Sequence, residues 1–163
     1  MVAAADGQRL EPGHVYLAPG DRQLLVADEH SLAVREKADA REPGHASASP
    51  LLESAAEVFG RRLIAVVLTG RLDGGAEGVG AVKRAGGRVL VEDPRTAAAP
   101  SMPNASLATG CVDLALPAPT IGHAVTAFCS VPGAADLFRV RLNPFAIGRA
   151  GASADPVASA VAG

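Results

Sequence analysis

A glycine-rich turn, TGRLDGG at residues 69–75, carries the residue types best suited to chemistry. It follows the longest apolar run of the chain, residues 63–68, and precedes a helical pattern. In open parallel sheets, ligands bind beyond the carboxyl ends of the strands. Glycines let a ligand approach the backbone closely, and a helix start offers unpaired N–H groups to an anion or oxyanion. The candidate binding residues are Thr69, Gly70 and Arg71, and the candidate catalytic carboxylate is Asp73.

Two other interpretations of this turn remain. An Asp-Gly pair between a strand and a helix often only shapes the turn or caps the helix. Nucleotide binding is less favoured, because GGAEGVG lacks the GxGxxG spacing and Lys83 lies well inside the helical pattern rather than at the turn. The residues alone therefore leave a ligand-binding turn and a purely structural turn both open.

Other reactive side chains lack partners at useful spacings. The four histidines (His14, His30, His45 and His123) are scattered, and Ser101 does not lie in a G-x-S-x-G turn. The two cysteines, Cys111 and Cys129, belong to no CxxC pair and to no Cys/His cluster with metal-ligand spacing. The sequence predicts no metal site and no cofactor.

Charge and hydropathy exclude several classes of protein. With 15 Lys and Arg residues against 17 Asp and Glu and no block of like charges, binding to nucleic acid or to an anionic membrane is not expected. The longest apolar run is too short for a membrane span, and the first residues lack a secretory signal. A cytoplasmic location is predicted.

The first half of the chain predicts a hairpin followed by a helix. Apolar residues alternate between turn signals over residues 14–36, which is typical of a hairpin or small meander. Residues 37–49 are polar and predict a loop. A helix is expected over residues 50–59, with Ser49 as its N-cap and Gly60 as its end.

The second half alternates strands and helices. The apolar run at residues 63–68 predicts a strand buried on both faces. The elements expected after it are a helix over 76–85, a strand over 88–91, a short helix near 104–109, a strand over 111–116 and a helix over 120–130. This order predicts an α/β fold with a parallel sheet. Residues 1–130 are the predicted domain, and the low-complexity residues 131–163 are a predicted disordered tail.

Two long segments resemble one known family. Residues 68–117 (LTGRLDGGAEG through VDLALP) and residues 6–26 (DGQRLEPGHVYLAPGDRQLLV) are similar to the C-terminal part of the catalytic domain of CheB-type protein-glutamate methylesterases. The resemblance covers about residues 6–128. It implies part of a doubly wound, mostly parallel α/β sheet with an N-terminal β-hairpin. It also implies a methylated chemoreceptor as partner, and hydrolysis of glutamate methyl esters and deamidation of glutamines by a Ser-His-Asp triad.

The sequence departs from the family at the triad. The family's T-G-x-x-x-D-G turn places its Asp at Gly74, and Asp73 stands one residue earlier. The family's Ser and His lie N-terminal to the hairpin, and this sequence begins at the hairpin. Because loss of the Ser or His alone costs about 10⁶ in turnover, the chain is expected to be inactive by itself. The alternatives are a non-catalytic binding module, or the C-terminal half of a split enzyme whose other chain supplies the N-terminal half. The strand at residues 63–68 would then lie at a sheet edge.

Overall fold

A computed structural model describes residues 1–36, 47–70 and 75–138. The N-terminal part contains two small sheets. Strand β1 (Val2–Ala3) pairs in parallel with β2 (Tyr16–Leu17), and β3 (Arg22–Asp28) pairs in antiparallel fashion with β4 (Ser31–Glu36). The predicted hairpin is confirmed.

Helix α1 (Ser49–Phe59) packs on the hairpin and ends as the sequence predicts, but its start differs. Gly60 has φ +52°, a positive value that glycine adopts readily because it has no Cβ. Ser49 is the first helical residue rather than the N-cap, which is Ala48 and provides no side-chain cap. The Ser49 hydroxyl instead accepts a hydrogen bond from the Gly78 backbone N–H at 3.1 Å, so the serine joins two helices. The prediction of Ser49 as N-cap was wrong for this reason.

A parallel three-stranded sheet follows, which confirms the predicted α/β class. Its strands are β5 (Ile64–Val67), β6 (Arg88–Glu92) and β7 (Leu114–Leu116), in that spatial order. Ile64 pairs with Arg88, and Leu90 pairs with Leu114. The crossovers contain helices α2 (Ala76–Arg84) and α3 (Ser101–Ala108), and the sheet is followed by α4 (Ala118–Ser130) and α5 (Ala134–Leu137).

The main core lies between the sheet and helices α1 and α2. Four valines are completely buried there: Val79 and Val82 on α2, and Val89 and Val91 on β6. The two helices approach closely at Gly78, where an added Cβ would lie 2.7 Å from the Leu52 Cβ. This contact holds α2, and with it the end of the candidate turn at Gly75, against the rest of the domain.

Strand β5 is buried on one face only. Ala65 and Val67 are in the core, whereas Val66 is 38% exposed and Leu68 is 47% exposed. The prediction of a strand buried on both faces was therefore wrong. Among the residues described, β5 is the outer strand of its sheet, so its outer edge has no strand neighbour there.

Helix α5 lies inside the segment predicted as a tail, and a buried arginine holds it. The Arg88 guanidinium donates to the Ala135 carbonyl and to the Asp136 carboxylate, both at 2.5 Å. The fold therefore extends past Ser130 at least to Leu137. The remainder of the predicted tail, residues 139–163, lies outside the described residues, and its disorder stays a prediction.

None of the helices in the described ranges combines the length and the apolar character that a bilayer crossing requires.

Candidate functional site

The first two residues of the candidate turn are fixed by the loop that precedes α3. The Ala99 N–H donates to Thr69 Oγ1 at 2.6 Å, and the Gly70 N–H donates to the Ala99 carbonyl at 2.9 Å. The Met102 N–H donates to the Gly70 carbonyl at 3.1 Å. Thr69 and Gly70 therefore lie at the carboxyl end of β5, which is the position that the sequence predicts for them. The hydrogen bonds to Ala99 and Met102 fix their backbone.

Gly70 leaves room for a methionine. A Cβ at this position would lie 2.6 Å from Met102 Sδ and 3.2 Å from Met102 Cβ. Any larger residue would force the Met102 side chain to shift. The glycine is therefore explained by packing, and a ligand is not needed to account for it.

Glu92, the last residue of β6, also belongs to this site. Its side chain is buried, with the residue only 6% exposed, and its Oε2 accepts a hydrogen bond from the Thr69 N–H at 2.6 Å. The bond joins the carboxyl ends of neighbouring strands. Sequence reasoning missed Glu92 as a site residue. The signal in the sequence is a glutamate at the end of a strand whose three central residues are apolar.

Asp93 is the second buried carboxylate at this edge, and its oxygens accept hydrogen bonds from Arg95. The Arg95 guanidinium donates to both carboxylate oxygens, at 2.6 to 3.1 Å, and the Arg95 backbone N–H donates to Oδ1 at 3.0 Å. These bonds lower the pKa of Asp93 below its ordinary value and raise that of Arg95. Asp93 shapes the turn after β6 and holds Arg95 near it.

Three predicted residues are not placed by the structure. Arg71, Asp73 and the substituted position Gly74 lie outside the described residues, so their roles stay predictions. Of the other candidates, Ser101 is the exposed first residue of α3, and His123 is exposed on α4. His14 lies 3.7 Å from the Glu11 carboxylate on the surface. In the part of the chain that the structure covers, no group of three His, Cys, Asp or Glu side chains could hold a metal ion.

Comparison with known proteins identifies the family. The CheB methylesterase family model matches residues 1–125. A protein-glutamate methylesterase/protein-glutamine glutaminase of Myxococcus xanthus is 40% identical over 129 residues, which are 78% of this chain and 37% of that protein. One from Rhizobium meliloti is 39% identical over 126 residues, which are 76% of this chain and 35% of that protein.

A solved structure shows the same fold. The CheB methylesterase catalytic domain of Thermotoga maritima superposes with a TM-score of 0.71 at 31% identity, over 77% of this chain and 68% of that domain. The chain spans only about a third of the length of the curated relatives it matches. The family model, the relatives and the fold agree, and the chain belongs to the CheB methylesterase family.

Proposed function

We propose that this chain forms the C-terminal part of a catalytic domain that hydrolyses methyl esters of glutamate side chains and deamidates glutamines in a chemoreceptor. The relatives are protein-glutamate methylesterases and protein-glutamine glutaminases. In this proposal the chain has no turnover by itself. It becomes active when an N-terminal part of the domain supplies the nucleophilic serine and the histidine.

The outer edge of β5 carries this proposal. Val66 and Leu68 are exposed beside the buried Ala65 and Val67, and the strand leads directly to Thr69. The unpaired backbone N–H and C=O groups of an edge strand favour pairing with another strand. The half-exposed valine and leucine side chains are stabilised further when the added segment covers the face from which they project. A strand added at this edge would end beside the candidate turn, which is where a serine or a histidine would have to stand.

The chemistry follows the general logic of a serine hydrolase. The serine hydroxyl attacks the ester carbonyl, the histidine takes its proton and returns it to the leaving methanol, and a carboxylate orients the histidine. Water then releases the glutamate carboxylate by the same route. This chain contributes the carboxyl ends of β5 and β6, the amino end of α2 and the carboxylates at that edge.

The test compares the chain alone with the chain completed by an N-terminal segment of the family, either co-expressed or fused ahead of Met1. We expect no hydrolysis of a small activated ester or of a methylated receptor fragment by the chain alone. We expect turnover with the completed domain. Binding of the separate segment should weaken at least about tenfold in Val66→Lys/Leu68→Lys, since each charge would be desolvated when the segment covers this face of the sheet.

The control is Leu137→Lys, an exposed apolar residue on α5 that is distant in sequence from β5. It should leave segment binding unchanged. A completed domain that binds methylated receptor but never hydrolyses it would contradict the proposed activity and favour the non-catalytic binding module. Turnover by the isolated chain would contradict the need for a second part.

A further inference from the structure

The parallel sheet has two faces, and different helices cover them. Val89 and Val91 of β6 belong to the core beneath α1 and α2. Leu90 lies between them and therefore projects from the opposite face, where it is completely buried. Helix α4 packs on β6, and within the described ranges none of its residues joins the core of α1 and α2. Helix α4 therefore covers the second face of the sheet at β6.

On strand β5 the second face is open. Val66 pairs with Leu90 in the parallel register, so their side chains project from the same face. Leu90 is completely buried, whereas Val66 is 38% exposed and Leu68 is 47% exposed. Ile64, which is half-buried, begins the same row. Ile64, Val66 and Leu68, the β5 row, thus form an apolar strip next to the part of the sheet that α4 covers, and burying this strip would be stabilising.

The chain returns to the start of the β5 row after α4. Ile64 pairs with Arg88. The Arg88 guanidinium binds Ala135 and Asp136 of α5, so α5 lies at the amino end of β6, next to the first residue of the row. Crossovers between parallel strands are right-handed. Helices α2 and α3 lead the chain from β5 to β7 on the first face, so a crossover of the same hand on the second face leads back toward β5.

The sequence after α5 is suited to this row in composition and in length. Residues 139–147 read RVRLNPFAI and carry four large apolar side chains, whereas residues 148–163 are mainly alanine, glycine and serine. In an extended chain, Val140 and Leu142 project from one side and the arginines beside them from the other. The β5 row spans about 13 Å at about 3.3 Å per residue. The segment over residues 139–147 reaches up to about 30 Å, which is ample.

We propose that residues 139–147 pack on the β5 row and cover it when this chain is by itself. The cover is formed within the chain, so it does not depend on the proposed function. Its consequence does rest on that function, because an N-terminal part of the domain that covers the same face must first displace residues 139–147. The predicted disorder of the tail then applies to residues 148–163.

Hydrogen exchange in the full chain tests the cover. In a peptide spanning residues 139–147 we expect exchange at least about tenfold slower than in the same peptide free in solution, because packing protects its amides. Val66→Lys/Leu68→Lys should bring this peptide to the free rate, because the segment would desolvate the lysine charges. The matched control is Val15→Lys/Leu17→Lys, which changes the same two residue types at half-exposed positions near β2. It should leave the protection unchanged.

Protection of α2 in the same measurement shows that each variant is folded. Leu68→Gln, a neutral change at the exposed end of the row, is a milder second variant, and it should speed exchange of residues 139–147 at least about threefold. Exchange at the free rate in the unchanged chain would overturn the inference. Protection that persists in both Val66→Lys/Leu68→Lys and Leu68→Gln would place the segment elsewhere and overturn it as well.

Displacement by the N-terminal part is measured by binding. Val140→Lys/Leu142→Lys should release the cover and bind the separate N-terminal segment at least about tenfold more tightly than the unchanged chain, because the open state no longer has to be populated first. Val157→Lys/Val161→Lys, in the low-complexity residues, should bind like the unchanged chain. Equal affinities of all three proteins would overturn the displacement. If none of them binds the segment, the proposed function fails, whereas slow exchange of residues 139–147 would still support the cover.

Discussion

Lys83 and Asp113 form an ion pair in the interior, with 3% and 0% of their side chains exposed. Asp113 also accepts the Val89 N–H through Oδ2 at 2.8 Å, so it joins α2 to the first residues of β6. A lysine inside an amphipathic helix normally faces solvent. Here its partner lies 30 residues away in the chain, just ahead of β7.

Lys83→Met should destabilise the domain strongly. The substitution removes the Lys83 ammonium from the buried Asp113 carboxylate, and breaking a buried ion pair in other proteins costs about 3–5 kcal/mol. Urea unfolding of the chain measures the loss. Arg84→Met, an exposed change one residue along the same helix, should stay within about 0.5 kcal/mol. If the two variants are equally stable, the buried ion pair contributes no more to the free energy of unfolding than the exposed Arg84 does.

Gly78→Ala should also destabilise, although alanine is the better helix former. The new Cβ would lie 2.7 Å from Leu52 Cβ and 2.8 Å from Ser49 Cα, and the latter is backbone that cannot turn aside. We expect a loss of about 1–3 kcal/mol in thermal or urea unfolding. Gly122→Ala in α4 has open space around it and should gain up to about 1 kcal/mol. A gain at both positions would show that α1 and α2 are not in close contact.

Arg88→Met should release α5 from the body of the domain. Arg88 donates to Ala135, to Asp136 and to the carbonyls of Gly86 and Gly87, and hydrogen bonds from charged groups contribute about 1.5–3 kcal/mol each. Hydrogen exchange of a peptide spanning residues 131–138 should accelerate at least about tenfold. The exposed Arg62→Met variant should leave that peptide's exchange rate unchanged, and equal rates in both variants would argue against the anchor.

Asp6 should make stability depend on acid pH. Its carboxylate accepts the Val34 backbone N–H and the Arg35 guanidinium, which hold its pKa below the ordinary value of an aspartate. Because the folded pKa is the lower one, the stabilisation is present above the unfolded pKa of about 3.9 and is lost as pH falls through the folded value. Asp6→Asn should therefore flatten the acid side of a stability profile measured by denaturant. Asp21→Asn, an exposed change ahead of β3, serves as control, and an unchanged slope in Asp6→Asn would contradict the prediction.

Local patterns were enough to predict the α/β class, the hairpin and most helices. Alternating apolar residues identify β3 and β4, and Gly60 and Gly86 end the helices before them. The placement of Thr69 at a strand end also followed from the pattern. These features depend on residues that are close to each other in the sequence, so a single sequence is enough to predict them.

The features that were missed depend on partners far away in the chain. A run of apolar residues does not reveal whether its strand is central or at an edge, so the exposure of Val66 and Leu68 required the strand order. Serine is a residue type that often caps helices, but the Ser49 hydroxyl accepts the N–H of Gly78, 29 residues later. Glu92 reaches Thr69 across 23 residues, and no local rule connects them.

The register of the parallel sheet bears on the order in which the chain folds. Ile64 pairs with Arg88 and Leu90 with Leu114, so paired residues are 24 positions apart in both crossovers. Closing either loop costs nearly the same chain entropy, and burial must decide which pair forms first. Strand β6 belongs to both pairs, so the comparison is between β5, which buries Ala65 and Val67, and β7, which has no fully buried residue. We therefore expect β5, α2 and β6 to form the nucleus, with β7 added later. Val89→Ala should then slow folding, whereas Leu116→Ala should mainly speed unfolding, in stopped-flow measurements.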